Sequence, residues 1–140
     1  MASMQKSLRL PEEIVREIEE IAHDERQDFT TVTTELLAEA VRARRFPGIV
    51  ISEGVRGRRA RIAGSGVEVW ELAAVDKSVG GDPKRLKKAF DWLTVQQIGA
   101  ALAYRDRYRE EIDALIAGNE AWTPERVRVK YPFLGRAAGR

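Results

Sequence analysis

The chain has 140 residues, with 24 lysines and arginines, 22 aspartates and glutamates, and no cysteine. This length suits one ordinary domain or two small ones. The lack of cysteine excludes disulfides, zinc sites built on thiolates and thiol nucleophiles. Because the charges nearly cancel, a surface for nucleic acid would have to come from local clustering of basic residues.

The sequence contains no pattern typical of an enzyme, a metal protein or a membrane protein. Its single histidine, His23, lies in a charged stretch without partners for a Ser/His/Asp site or a metal site. The glycines at 64 and 66 lack the spacing of a phosphate-binding loop. No apolar run approaches the roughly 20 residues of a membrane span, and no apolar signal segment opens the chain. We therefore expect a cytoplasmic protein that is not an enzyme, with no cofactor and no metal.

The first element is the stretch "QKSLRLPEE", in which polar and apolar residues alternate. This alternation predicts a short β-strand with Leu8 and Leu10 on one face. The opposite face carries Gln5, Ser7 and Arg9. A short strand alone is not stable in water, and the next strand-like run lies beyond residue 46. The first strand therefore needs a partner that its neighbourhood does not supply.

Two helices follow. Residues 11–26 have apolar side chains at helical spacing, namely Ile14, Ile18, Ile21 and Ala22. Thr30 is the predicted N-cap of a second helix that runs to about residue 45. The apolar face of this second helix consists of Val32, Leu36, Leu37, Ala40 and Val41.

The second half starts with a predicted β-hairpin over residues 48–63, where two extended runs flank the turn residues "EGVRG". A helix is expected from Val69 until Gly80 and Gly81 interrupt it. Asp82 is a suitable cap for a short helix over 83–90.

A further helix is predicted from the capping box of Thr94 and Gln97, as one long element over residues 95–117. In the tail, "TPER" predicts a helical turn, whereas "RVRVKY" alternates like a strand. The fold class is therefore mainly α with short β, an α+β arrangement.

Residues 1–45 resemble the ribbon-helix-helix family, on the stretches "SLRLPEEIVREIEEIA" and "DFTTVTTELLAEAV". The resemblance implies that two chains pair their strands into a ribbon that enters the DNA major groove. Gln5, Ser7 and Arg9 would then meet base edges, while Thr30 and Thr31 would hold a phosphate at the start of the second helix. Two positions depart from the family. Lys6 replaces an apolar residue and would reach a phosphate, and Arg26 stands where glycine is frequent, which suggests a somewhat different turn.

Residues 46–117 resemble the domain-of-unknown-function 433 family, a small winged-helix-like domain found in antitoxins. The resemblance rests on "PGIVISEGVRGRRARIAGSGVEVWEL" and "AFDWLTVQQIGAALAYRDRYREEIDALI". Gly66 and Glu68 replace the usual arginine and proline, so the role of that arginine does not carry over. The predicted hairpin and helix-turn-helix offer candidates for contact with DNA or a partner: Arg59 and Arg61 from the hairpin, and Lys84, Arg85, Gln96 and Gln97 from the helices. Two alternatives stay open, namely that Gln97 is only a capping residue and that the basic residues are only a solvated face.

The tail, residues 118–140, combines basic and large apolar residues. By resemblance to antitoxins it would dock on a toxin, with Trp122, Arg126, Arg128, Tyr131 and Phe133 as candidate contacts. The alternative is that the tail packs on its own domain.

These resemblances imply a type II antitoxin that represses its own operon. Its expected partners are a palindromic double-stranded DNA operator, a PIN-like ribonuclease toxin and a second copy of the chain, as a dimer or higher oligomer, with no membrane. The alternatives are a stand-alone ribbon-helix-helix regulator, of the plasmid copy-control or partition type, and an interaction scaffold that binds no DNA.

Overall fold

The computed structural model of the protein describes residues 2–132. Over these residues it is mainly helical with one two-stranded antiparallel sheet, which confirms the mainly α fold with short β. The elements are α1 Glu12–Glu25, α2 Phe29–Arg45, β1 Ile49–Gly54, β2 Gly57–Ile62, α3 Val69–Ser78, α4 Pro83–Ala89, α5 Val95–Arg107, α6 Arg109–Ala117 and α7 Pro124–Lys130. The chain forms two compact units, which divide between Val41 and Arg42, slightly before the boundary predicted after residue 45.

The first unit has a very small core. Ile18 and Ala22 of α1 and Val32 of α2 are buried together, with Ile21 partly buried beside them. Most other large apolar side chains of this unit are exposed, including Met4, Leu8, Ile14, Phe29, Leu36, Leu37 and Val41. Residues 2–11 form neither helix nor strand. The predicted strand needs a second chain, and its pairing remains a prediction.

The N-cap of α2 is Asp28, so the prediction of Thr30 was wrong. The Asp28 carboxylate accepts hydrogen bonds from the backbone N–H of Thr31 at 2.7 Å and from its hydroxyl at 3.0 Å. Both Asp and Thr are good caps, and an ionised carboxylate at a helix N-terminus also gains from the helix dipole. These hydrogen bonds hold the pKa of Asp28 below its usual value.

The turn between the two helices depends on Arg26. This residue ends α1 in the left-handed conformation, with φ 55° and ψ 44°, and its N–H points to the carbonyls of Ala22 and His23. Among the described residues it is the only one other than glycine with a positive φ. Arg26 therefore adopts the conformation that suits glycine, at a steric cost of about 1–2 kcal/mol.

The second unit is built around α3. The predicted hairpin is confirmed: Ile49 pairs with Ile62, and the turn lies between Gly54 and Gly57. The first seven residues of α3, from Val69 to Val75, are all buried. The other predicted boundaries of this region are also confirmed, namely the break at Gly80-Gly81, the Asp82 cap and the capping box of Thr94 and Gln97.

The single long helix predicted over 95–117 is in fact two helices, because Tyr108 leaves the helical conformation with φ −117° and ψ 46°. Its ring packs against those of Phe46 and Tyr104 and lies under the guanidinium of Arg42. The change of direction allows α5 and α6 both to contact α3, and it buries Ile112. Tertiary packing thus overrides a continuous helical pattern.

The predicted strand "RVRVKY" is also wrong, because this segment belongs to α7. Thr123 caps the helix and Pro124 occupies its first turn. Val127 is fully buried, whereas Val129 is 78% exposed. Residues two apart share a face in a strand but point to opposite sides of a helix, so this contrast in burial is helical.

Candidate functional site

The residues predicted to read bases lie together at the start of the chain. Gln5, Lys6, Ser7 and Arg9 are all exposed within the segment that has no secondary structure. Thr30 and Thr31 are exposed in the first turn of α2. The accessibility that DNA contact requires is therefore present, while the ribbon geometry depends on a second chain.

Asp28 places a negative charge at the predicted phosphate position. Its carboxylate already accepts the N–H of Thr31, so a phosphate at this helix end would meet a negative charge. Sequence reasoning missed this residue, although aspartate before a helical pattern is a common capping signal. Any contact of Thr30 or Thr31 with DNA must accommodate Asp28.

In the second unit, the side chain of Gln97 is occupied by the fold. Its amide oxygen accepts the N–H of Thr94 at 2.8 Å, and its amide nitrogen donates to the carbonyl of Ala63 at 3.3 Å. This arrangement supports the alternative that Gln97 serves as a capping residue. Gln96 is exposed beside it, and Lys84 and Arg85 are exposed on α4.

The structure brings residues from two separate predicted groups into one cavity of about 520 Å³. Arg59 and Arg61 come from β2, while Trp122 and Arg126 come from the tail. Arg56 of the hairpin also lines it. Sequence reasoning missed four other residues of the cavity that matter for its charge: Glu68, Glu71, Glu120 and Lys130.

Glu71 fixes one side of this cavity. Its side chain has no exposed surface, yet it accepts hydrogen bonds from the N–H of Glu68 at 2.9 Å, Lys130 Nζ at 2.6 Å and the Tyr131 hydroxyl at 3.0 Å. A buried carboxylate is tolerated only when such donors replace water. Burial and the Glu71 carboxylate raise the pKa of Tyr131, so its hydroxyl stays a donor. Glu71 therefore joins α3 to α7.

The hairpin arginines form the other side. Glu68 lies 3.9 Å from both Arg59 Nε and Arg61 Nη2, and Arg61 Nε donates to Ser52 Oγ at 2.9 Å. Gly54 leaves room for the guanidinium of Arg61, since a Cβ at residue 54 would collide with it. Arg59 and Arg61 thus share one carboxylate at a distance too long for strong hydrogen bonds.

The remaining tail candidates differ in exposure. Trp122 packs on Trp70, and Tyr131 packs on Trp92. Arg128 is exposed and pairs with Glu125 at 3.6 Å. Phe133 lies outside the described residues. Up to residue 132, the tail packs on the second unit, as the alternative prediction had it.

A second polar cluster in this unit consists of Arg42, Tyr104 and Glu111. Arg42 donates to the Tyr104 hydroxyl at 2.6 Å and to Glu111 at 2.7 Å. Burial and the nearby Glu111 carboxylate raise the pKa of Tyr104 to about 12. We assign this cluster a structural role, because the tyrosine is neutral and the arginine is already bonded to Tyr104 and Glu111.

No protein-family model, no curated protein and no solved structure matches this chain. Over residues 2–132, no helix combines the length and apolar character needed to cross a bilayer. Within the same residues, no group of acidic or histidine side chains is arranged to hold a metal ion. Both family resemblances therefore stay predictions.

The contact between Glu71 and Lys130 predicts a measurable coupling. Glu71→Gln should lower the free energy of unfolding by about 1–3 kcal/mol, because it removes the charge that Lys130 and Tyr131 bind. Lys130→Met should also destabilise, because it leaves the carboxylate with fewer donors. The double variant should cost less than the sum of the two single variants, as measured by urea unfolding. Arg128→Met, on the exposed side of α7, is the control. Additive effects of the two single changes would contradict this coupling.

Proposed function

We propose that the protein is a dimeric DNA-binding antitoxin that represses its own operon and neutralises a PIN-like ribonuclease. The observation that carries this proposal is the incomplete core of the first unit. Three buried residues hold α1 and α2 together, while Leu8, Leu37 and Val41 are each more than half exposed. Large apolar side chains concentrated on so small a unit indicate a surface that a partner covers.

A second copy of the chain suits this surface. Units of about 40 residues rarely bury enough apolar area to be stable alone, and oligomerisation is a common solution. Residues 2–10 lie outside helix and strand, and an antiparallel copy of the same segment would satisfy their backbone groups. Such a ribbon would turn Leu8 inward and leave Arg9 on the outer face.

The outer face of the proposed ribbon has the chemistry for reading DNA. Arginine binds the O6 and N7 atoms of guanine with two hydrogen bonds, and glutamine binds adenine in the same manner. Arg9 and Gln5 supply these groups, and Lys6 adds a cation for the phosphate backbone. The second unit and its helix α7 would then contact the toxin.

The proposed dimer predicts opposite effects at two neighbouring residues. Leu8→Lys should convert the dimer to a monomer, because it places a charge in the interface. Ser7→Lys should leave the dimer intact, because this residue faces outward. Light scattering or sedimentation equilibrium gives the mass of each variant. A monomeric wild-type chain, or a dimer that survives Leu8→Lys, would count against the ribbon.

Base reading by Arg9 predicts a sequence-dependent loss of affinity. Arg9→Ala should weaken binding to the DNA upstream of the gene by roughly 1–3 kcal/mol and relax the base preference. Arg16→Ala is the control, since Arg16 is exposed on α1 in the same unit. A gel-shift titration at fixed salt measures both. Unchanged affinity and preference in Arg9→Ala would remove this residue from the reading surface.

A second candidate function is a stand-alone ribbon-helix-helix regulator with no toxin. The packed tail favours it, because Val127 is fully buried and Trp122 and Tyr131 contact the second unit. A tail held in this way offers a toxin fewer apolar groups than a free segment would.

Growth rescue separates the two candidates. If the protein is an antitoxin, expression of the neighbouring gene alone should arrest growth, and co-expression of this chain should restore it. Rescue should persist with Arg9→Ala, because toxin contact is assigned to the second unit. A neighbouring product without toxicity, or toxicity that the chain does not relieve, would favour the stand-alone regulator.

A further inference from the structure

The cavity between the hairpin, the start of α3 and α7 has an excess of positive charge. Five cations and three carboxylates line it, so the net charge of the lining is +2. The cations are Arg56, Arg59, Arg61, Arg126 and Lys130, and the carboxylates are Glu68, Glu71 and Glu120. All of these residues belong to the second unit.

The excess lies on the hairpin side. Lys130 is neutralised by Glu71 at 2.6 Å and Arg126 by Glu120 at 3.0 Å. Glu68 is then the one carboxylate of the cavity left for both Arg59 and Arg61. Arg56 donates to the neutral amide of Asn119 at 2.9 Å. Within the described residues, the hairpin therefore presents two more guanidinium charges than the cavity compensates.

These arginines are held in place by the fold. Ser52 binds Nε of Arg61, and the missing side chain at Gly54 makes space for the rest of the guanidinium. Arg59 and Arg61 are mostly shielded, with side chains 24% and 22% exposed. Partly desolvated arginines that are already positioned bind a planar or tetrahedral oxyanion with little loss of freedom.

We propose that this cavity binds the phosphate monoester of a small phosphorylated molecule, with Arg56, Arg59 and Arg61 as its ligands. A phosphate monoester carries a charge of about −1.5 to −2 at pH 7, which matches the two excess cations better than a single carboxylate does. The volume lies in the usual range for small-molecule sites. Trp122, from the segment before α7, also lines the cavity and offers an aromatic surface to the organic part of the ligand.

Duplex DNA does not suit this cavity. A duplex is a wide rod whose phosphates are diesters with one negative charge each, whereas the site is a concave recess for a small dianion. The proposal is thus independent of the ribbon at the other end of the chain. The phosphate proposal does not depend on the antitoxin assignment.

The test uses the full chain and the quenching of tryptophan fluorescence, since Trp70 and Trp122 line the cavity. The probes are AMP, ribose 5-phosphate, adenosine and a blunt DNA duplex without terminal phosphates. AMP and ribose 5-phosphate should bind, whereas adenosine should not, and the duplex should not displace AMP. Tighter binding of AMP would indicate that its ring contacts the aromatic side chains of the cavity, and equal or weaker binding would assign recognition to the phosphate alone; both results support the site. Affinity should fall as the pH is lowered from about 7.5 to about 5, because the phosphate gains a proton.

Three variants locate the site. Arg61→Gln and Arg56→Gln should each weaken AMP binding by about tenfold or more, because each removes a charged donor. Gly54→Ala should weaken it as well without any change of charge, because its methyl group displaces the Arg61 guanidinium. Arg128→Gln, outside the cavity, should bind AMP normally. Thermal unfolding of each variant checks that the fold is retained.

Several results would overturn the proposal. These are no binding of either phosphate at about 1 mM, equal binding of adenosine and AMP, or displacement of AMP by the duplex. Unchanged affinity in either Arg61→Gln or Gly54→Ala would do the same. Because the Gly54 variant keeps every charged group, the test remains decisive even if Arg61→Gln does not fold.

Discussion

The carboxylate of Glu71 is the contact on which the architecture of the second unit depends. It is fully buried in α3, where it accepts the N–H of Glu68 at the start of the same helix, and it also accepts hydrogen bonds from Lys130 and Tyr131 at the end of α7. Since a buried carboxylate without donors is costly, these contacts favour the arrangement in which α7 packs against α3. Apolar contacts alone have little directionality, whereas the two hydrogen bonds from Lys130 and Tyr131 fix the position of α7 along α3. The position of Trp122 and Arg126 in the cavity follows from that placement of α7.

The two units differ in how completely they bury their apolar side chains. The second has a continuous core that runs from the hairpin through α3 to α7, with residues such as Phe90, Tyr104 and Val127 completely buried. The first has three buried residues and a larger number of exposed apolar ones. The second unit thus buries its own apolar side chains, whereas the first unit leaves most of its apolar side chains exposed. This asymmetry is the physical basis for assigning self-association to the first unit and ligand contact to the second.

Local signals in the sequence predicted the elements well, because they act over a few residues. The hairpin, the glycine break and the capping box of Thr94 and Gln97 all follow from such short patterns. Asp28 and Thr30 are both good capping residues near the start of α2, and only the hydrogen bond from the N–H of Thr31 identifies Asp28 as the cap. The break at Tyr108 and the helical form of "RVRVKY" depend on aromatic packing and on the burial of Val127, which periodicity does not encode. The cavity was beyond prediction for the same reason: residues near 60 and residues near 125 meet only in the fold.

Arg26 has a consequence for how the first unit could exchange partners. A left-handed arginine stores strain in the turn between α1 and α2, and a straightened turn would release it. A domain-swapped dimer, in which α2 packs on the α1 of another chain, would keep the contacts among Ile18, Ala22 and Val32 and relieve this strain. Glycine at this position would carry no such strain, since glycine adopts a positive φ without a steric cost. The chemistry of one residue therefore contributes about 1–2 kcal/mol against the closed turn in any such exchange.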